Sequence, residues 1–303
     1  MLAQYLLTFR EVLEAALLTA IILAFLTRTG RSNLARFAWY GVFGAVGVSL
    51  VLGSAIWLAY GTLSKANQVL FEGLAALLAV GVLTSMIYWM AVKGRELKSV
   101  IETRVQAAVT QGTILALMSL TFILVFREGL ETVLFLTPYL VGDALPTVAG
   151  AALGLAFGVG LAFLIFRVGM KLDLRKFFYF TSILLVLVAG GLVGYGVHEL
   201  VEYGQGFAGA QLGWWGEQAF NLGIPSDSPF HNKGIVGSIF AVMLGYDTDP
   251  EWARVVAHAA YLAVVLPLVV LVYRRPDFLR NAVARVRGVF RPESSKVPAD
   301  SRE

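Results

Sequence analysis

The chain has 303 residues, 58% of them hydrophobic and only 15% charged, with a mean hydropathy of +0.74. That composition excludes an ordinary soluble domain and marks an integral membrane protein. The absence of cysteine excludes disulfides, thiolate metal sites and cysteine catalysis. The formal net charge of +4 does not point to a nucleic-acid partner, because the Lys and Arg residues are distributed around apolar stretches as a membrane dictates.

A bilayer is crossed by about 20 apolar residues, and seven stretches qualify: 3–26, 38–60, 68–91, 112–138, 147–166, 177–197 and 255–273. The first reads as a span and not as a cleaved signal peptide. It lacks a basic n-region and a small-x-small cleavage site, and it carries two carboxylates. Those carboxylates belong to Phe9-Arg10-Glu11-Val12-Leu13-Glu14. The fourth span repeats the pattern as Phe126-Arg127-Glu128-Gly129-Leu130-Glu131. On a helix, Glu11 and Glu14 share a face with Arg10 one turn from Glu14, and the second copy does the same. The third span carries Glu72 near its start, where a helix dipole also favours an anion. In the fifth span Gly150, Gly154 and Gly158 stand four apart, and Gly190 and Gly194 repeat that spacing in the sixth. Such small-residue faces let helix backbones approach closely.

The connections set the orientation. Arg28, Arg31 and Arg36 lie in 27–37; Lys93, Arg95, Lys98 and Arg104 in 92–111; Arg167, Lys171, Arg175 and Lys176 in 167–176; eight more lie from Arg274 onward. The alternate connections hold only Lys65, Lys233 and Arg254. The positive-inside rule then places the N-terminus outside and the C-terminus inside. The long connection 198–254 is acidic and aromatic. An acidic outer vestibule would concentrate cations, although outer segments are depleted of Lys and Arg in any case. Within this connection His198 and Glu199 read as loop polars just past the sixth span. The tail 274–303 is basic and reads as a cytoplasmic segment on anionic lipid.

The expected fold is an all-α membrane protein of seven transmembrane helices. The motifs open spans 1 and 4, which run in opposite directions. This predicts an inverted repeat of helices 1–3 (about 1–91) and 4–6 (about 112–197) plus helix 7 (about 255–273), within one permease domain over 1–273. Repeats of this kind place their substrate near the midplane, at the repeat interface.

Charges inside lipid are costly and mark ion paths or relays. Glu11, Glu14, Glu128 and Glu131 form an oxygen-rich candidate site for a hard cation, with Arg10 and Arg127 as ion-pair partners that limit repulsion in the empty state. The motif charges sum to −2, and Glu72 would bring this to −3. A potential negative inside draws cations inward by about 2.3 kcal/mol per charge per 100 mV. No phosphate-loop motif for ATP is present.

The paired R-E-x-x-E helices resemble the oxidase-dependent iron permease family, which includes fungal ferric permeases and bacterial EfeU proteins. The likeness also rests on Phe71-Glu72-Gly73, on Trp89-Met90, and on Leu244-Gly245-Tyr246 ahead of a last helix with Tyr261 and Leu266-Pro267. The first motif departs from the family's REGLE form, with Val12 where the second has Gly129. The resemblance implies a transporter and not an enzyme, working in a cytoplasmic membrane, with the glutamates as ligands of iron. It also implies an extracytoplasmic iron-oxidising or iron-delivering partner. Iron is then the transported substrate and no cofactor is expected; the copy number is open, and a homo-oligomer is compatible with the sequence.

Three other readings compete. One is a permease for another hard or heavy cation, such as lead or manganese. A second is a carboxylate di-iron membrane oxidase, against which both motifs are Glu-x-x-Glu where bundled di-iron sites use Glu-x-x-His pairs. The third is a scaffold or proton-coupled carrier in which each motif is an ion pair or relay.

Overall fold

The computed structural model describes residues 1–93, 96–110, 114–167, 174–232 and 234–274. Beyond Arg274 the expected basic tail lies outside the described residues, as do Arg95, Lys171 and Lys233. The described chain is helical: α1 (Leu2–Arg28), α2 (Ala35–Gly61), α3 (Lys65–Lys93), α4 (Leu97–Thr110), α5 (Ile114–Gly142), α6 (Ala144–Arg167), α7 (Leu174–Gly206), α8 (Ile235–Leu244) and α9 (Trp252–Arg274). Five of these, α2, α3, α6, α7 and α9, are long and apolar enough to cross a membrane. The motif helices α1 and α5 have 27 and 29 residues, about 40 Å at 1.5 Å per residue. No 18-residue stretch of either has fewer than three charged residues.

Three pairings organise the bundle: α1 packs on α6, α5 packs on α2, and α3 packs on α7, with α9 against α7 and α3. The glycine stripes make these contacts. A Cβ at Gly154 would fall 2.6 Å from the Tyr5 carbonyl oxygen, and one at Gly158 would overlap Val12, so the stripe is what seats α6 on α1. Gly41 meets the α5 backbone at Met118 and Phe122 in the same way. Gly190 and Gly194 face Leu262, His258 and Arg254 of α9.

The main core gathers Ala76, Leu83 and Ile87 of α3, Leu185, Ala189 and Leu192 of α7, Val269 of α9 and Phe135 of α5. By contrast, large apolar side chains such as Phe43 and Val51 on α2 or Phe157 and Phe163 on α6 point outward. An apolar girdle of that extent belongs in lipid.

The helices extend beyond the expected apolar stretches in three places. The connection 92–111 contains the amphipathic α4, whose Ile101 and Val105 are buried with Ile22 and Leu26 of α1. The sixth helix does not stop at 197: α7 runs to Gly206 and carries His198 and Glu199 on its last turns. The segment 198–254 is therefore partly helical, and it also holds α8, which ends at Gly245. That glycine has φ +64°, and a Cβ there would strike the His258 ring. At the end of α7 polar residues ended the apolar run without ending the helix, because backbone bonding continues where lipid does not.

Candidate metal site

Both motifs sit where long apolar helices cross close to each other, so their charged residues are driven together and away from solvent. Glu11, Glu128 and Glu131 each present a carboxylate oxygen within 4.8 Å of the other two. All three side chains are buried. Among the described residues, Oε2 of each of the three has no hydrogen-bond partner. Three carboxyl groups gathered in an apolar interior, each with an oxygen left without a partner, form a setting that a bound cation would satisfy. Oxygen-only ligands suit a hard ion.

The two arginines share a motif position and differ in setting. Arg10 is 1% exposed. Its Nη1 lies 2.8 Å from Glu11 Oε1, and its Nη2 lies 2.8 Å from Glu14 Oε1, the latter off the hydrogen-bond axis. Nη1 also touches Met86 Sδ on α3. Arg127 donates from Nε to Glu131 Oε1 at 2.7 Å. Its side chain is 45% exposed and lies over the Trp89 ring, 5.1 Å from the centroid. It borders an apolar cleft of about 910 Å³ between α2, α3 and α5, onto which Glu131 also opens.

Of the four motif glutamates, the structure thus gathers three. Glu14 is buried beside them, held by Arg10 and in electrostatic reach of Glu128 and Glu131. The Val12/Gly129 difference has a packing cause. A side chain at 129 would overlap the Ser49 hydroxyl of α2, whereas Val12 faces Gly158 of α6. The bulk is carried by α2 in one interface and by α1 in the other.

Glu72 is not with the three. It is the eighth residue of α3, past the first turn, and is buried. It accepts hydrogen bonds from the Tyr60 and Tyr195 hydroxyls. Sequence reasoning missed both tyrosines and Met86; nothing in the local pattern of any of them marks a polar partner.

A family model described as the iron permease FTR1 family matches residues 1–274. An uncharacterised protein of Archaeoglobus fulgidus is 43% identical over 277 residues, 91% of this chain and 96% of that one. A protein of Escherichia coli O6:H1 named ferrous iron permease EfeU is 34% identical over 277 residues, 89% and 96% of the two chains. One of the same name in Yersinia pestis is 32% identical over 296 residues, 95% and 99%. No solved structure matches.

The chain belongs to the iron permease FTR1 family.

The FTR1 family is one of transporters, in agreement with the resemblance carried by the motifs. In this member a second polar cluster stands at the end of the bundle where α3 begins and α7 ends. His198, Glu199 and Glu202 of α7 bring ligand atoms within 4.8 Å of one another. His198 Nδ1 lies 2.8 Å from Glu251 Oε1, just ahead of α9. Burial works against the charge of Glu251, but the hydrogen bond from His198, the imidazole charge and a backbone N–H outweigh it and hold its carboxyl below the usual range. Sequence reasoning set this cluster aside as loop. The signal was present: His198-Glu199-x-x-Glu202 has the spacing of the two motifs, with His in the place of Arg.

Proposed function

We propose that this chain carries ferrous iron inward across a cytoplasmic membrane through the carboxylates of α1 and α5. The observation that carries the reading is the convergence of Glu11, Glu128 and Glu131 with three unpartnered buried oxygens. Glu14, Glu128 and Glu131 with Glu11 are the ion's ligands or near neighbours, Arg10 and Arg127 balance the site when it is empty, and Glu72 lies on the approach to it. The ferrous state follows the names of the Escherichia coli and Yersinia pestis relatives.

In this reading α1, α2, α3, α5, α6, α7 and α9 are seven spans, with the N-terminus outside and the C-terminus inside, and α1–α3 and α5–α7 form an inverted repeat. The helix pairings support it. Exchanging α1 with α5, α2 with α6 and α3 with α7 turns the α1–α6 contact into the α5–α2 contact and leaves α3–α7 unchanged. The motif carboxylates then lie at the repeat interface, where such transporters bind substrate. The membrane potential drives the ion inward. An extracytoplasmic iron-delivering protein supplies it in the ferrous state.

Uptake of radioactive iron into proteoliposomes, under reducing conditions, tests the proposal with Glu14→Gln and Glu131→Gln at matched incorporation. Saturable uptake that collapses in both variants is expected. Equal uptake by wild type and both variants would return the motifs to structural ion pairs. Manganese or lead in place of iron at the same saturation would reassign the substrate.

A further inference from the structure

The geometry points to a second metal site in this chain, formed by His198, Glu199 and Glu202 at the end of α7, for a divalent first-row transition ion such as ferrous iron. Its ligand atoms already stand within 4.8 Å of one another. Four other observations point the same way.

The imidazole is held as a metal-ligating imidazole is held. Nδ1 meets the Glu251 carboxylate, and Nε2 faces Glu202 Oε2 at 4.0 Å. A histidine that binds metal through one nitrogen nearly always gives its other N–H to a carboxylate or carbonyl, which sets the tautomer and the ring orientation.

Glu251 is itself fixed. Its backbone bridges to Gln218, and the flanking bonds Trp252 N–H to Glu217 O (3.1 Å) and Ala219 N–H to Pro250 O (2.8 Å) hold it ahead of α9. Arg254, the nearest cation of α9, pairs with Asp247.

Glu199 is a buried carboxylate that shares its hydroxyl donor with Glu72. It is 8% exposed, and the side-chain group hydrogen-bonded to it is the Tyr195 hydroxyl. That hydroxyl also bonds Glu72. One hydroxyl carries one proton and cannot satisfy two carboxylates. Glu72 has a further donor in Tyr60, so of the two carboxylates Glu199 is the one better placed to take a cation.

The donor set also selects. A neutral imidazole with two carboxylates balances a divalent charge. Imidazole suits iron, whereas magnesium and calcium prefer oxygen alone.

This site is distinct from the motif carboxylates. Met86 touches Arg10, and the rise along α3 from Met86 back to Glu72 is about 21 Å. As a metal site it stands without the motif glutamates; as a station that receives iron before it descends to them, it rests on the permease reading above.

The test uses Mn²⁺ as an electron-spin-resonance probe on the full chain, purified without a histidine tag. Glu11→Gln with Glu131→Gln forms the background, so that the motif site is silenced. The expected result is one bound Mn²⁺ per chain with coupling to an imidazole nitrogen, displaced by anaerobic Fe²⁺ and not by Mg²⁺. His198→Gln abolishes the nitrogen coupling. Glu202→Gln, at a side chain 47% exposed and so tolerant of change, weakens binding at least about tenfold, and Glu251→Gln weakens it by about 10–100-fold. An absence of bound Mn²⁺ in that background, bound Mn²⁺ without nitrogen coupling, or an affinity untouched by Glu202→Gln would overturn the proposal. If the motif reading alone is wrong, Glu11→Gln and Glu131→Gln leave iron uptake intact while the nitrogen-coupled ion persists.

Discussion

Arg10 and Arg127 occupy the same position in two copies of one motif and have different work to do. Arg10 is enclosed and holds two carboxylates, so removing it leaves two buried anions unpaired. Breaking a buried pair from one side costs about 3–5 kcal/mol. Denaturant unfolding in mixed micelles should therefore show a loss of that size for Arg10→Gln and a smaller one for Arg127→Gln, which frees only Glu131. Equal losses would mean that the enclosure of Arg10 carries no energetic weight. The motif residues were legible because charges inside an apolar run have few innocent explanations. The inequality of the arginines was not, because exposure at residue 127 depends on how α2, α3 and α5 leave a cleft beside it. Glu72 was legible as a buried acid but not as a residue apart from the motif site, since its tyrosine partners come from α2 and α7.

At the scale of the element, small residues decide which helices meet. The α5–α2 contact puts Gly129 opposite Ser49, and the α1–α6 contact puts Val12 opposite Gly158. Gly129→Val should overpack the first contact by about 1–3 kcal/mol. Ser49→Gly in the same chain should restore much of the loss, because it copies the arrangement of the second contact. A thermal-unfolding double-mutant cycle reads this directly, and additive losses would show that the two residues do not compete for the same space. The stripes in α6 and α7 were visible as spacing in the sequence, while their partners were not: spacing names the face that packs, and only the assembled bundle says on what. The ends of α7 and the existence of α4 were missed for a shared reason. Hydropathy follows the surrounding medium, and Ile101 or Glu199 obey the helix after the apolar run has ended.

For the whole molecule, the proposed orientation is open to a clean test because the chain has no cysteine. Single cysteines replacing Ser64 or Ser226 should react in intact cells with a membrane-impermeant maleimide. Those replacing Ser32 or Ser99 should react only after permeabilisation. Labelling of all four from one side would dismiss the seven-span frame. The charges of the connections carried that frame in the sequence, and the pairing of helices across the two halves was beyond it, since weak similarity between halves says nothing about which surfaces touch.

That pairing has a consequence for biosynthesis. α1 and α2 are made first, yet the surfaces that fit them belong to α6 and α5. In the proposed frame, a ribosome that has released only residues up to Lys93 has placed in the membrane three helices whose partner surfaces on α6, α5 and α7 are still missing, and a cluster of charges whose second half does not yet exist. Each half of the chain serves as the other's template, so the early helices must wait in lipid, loosely held, until the later ones thread between them and lock both halves together.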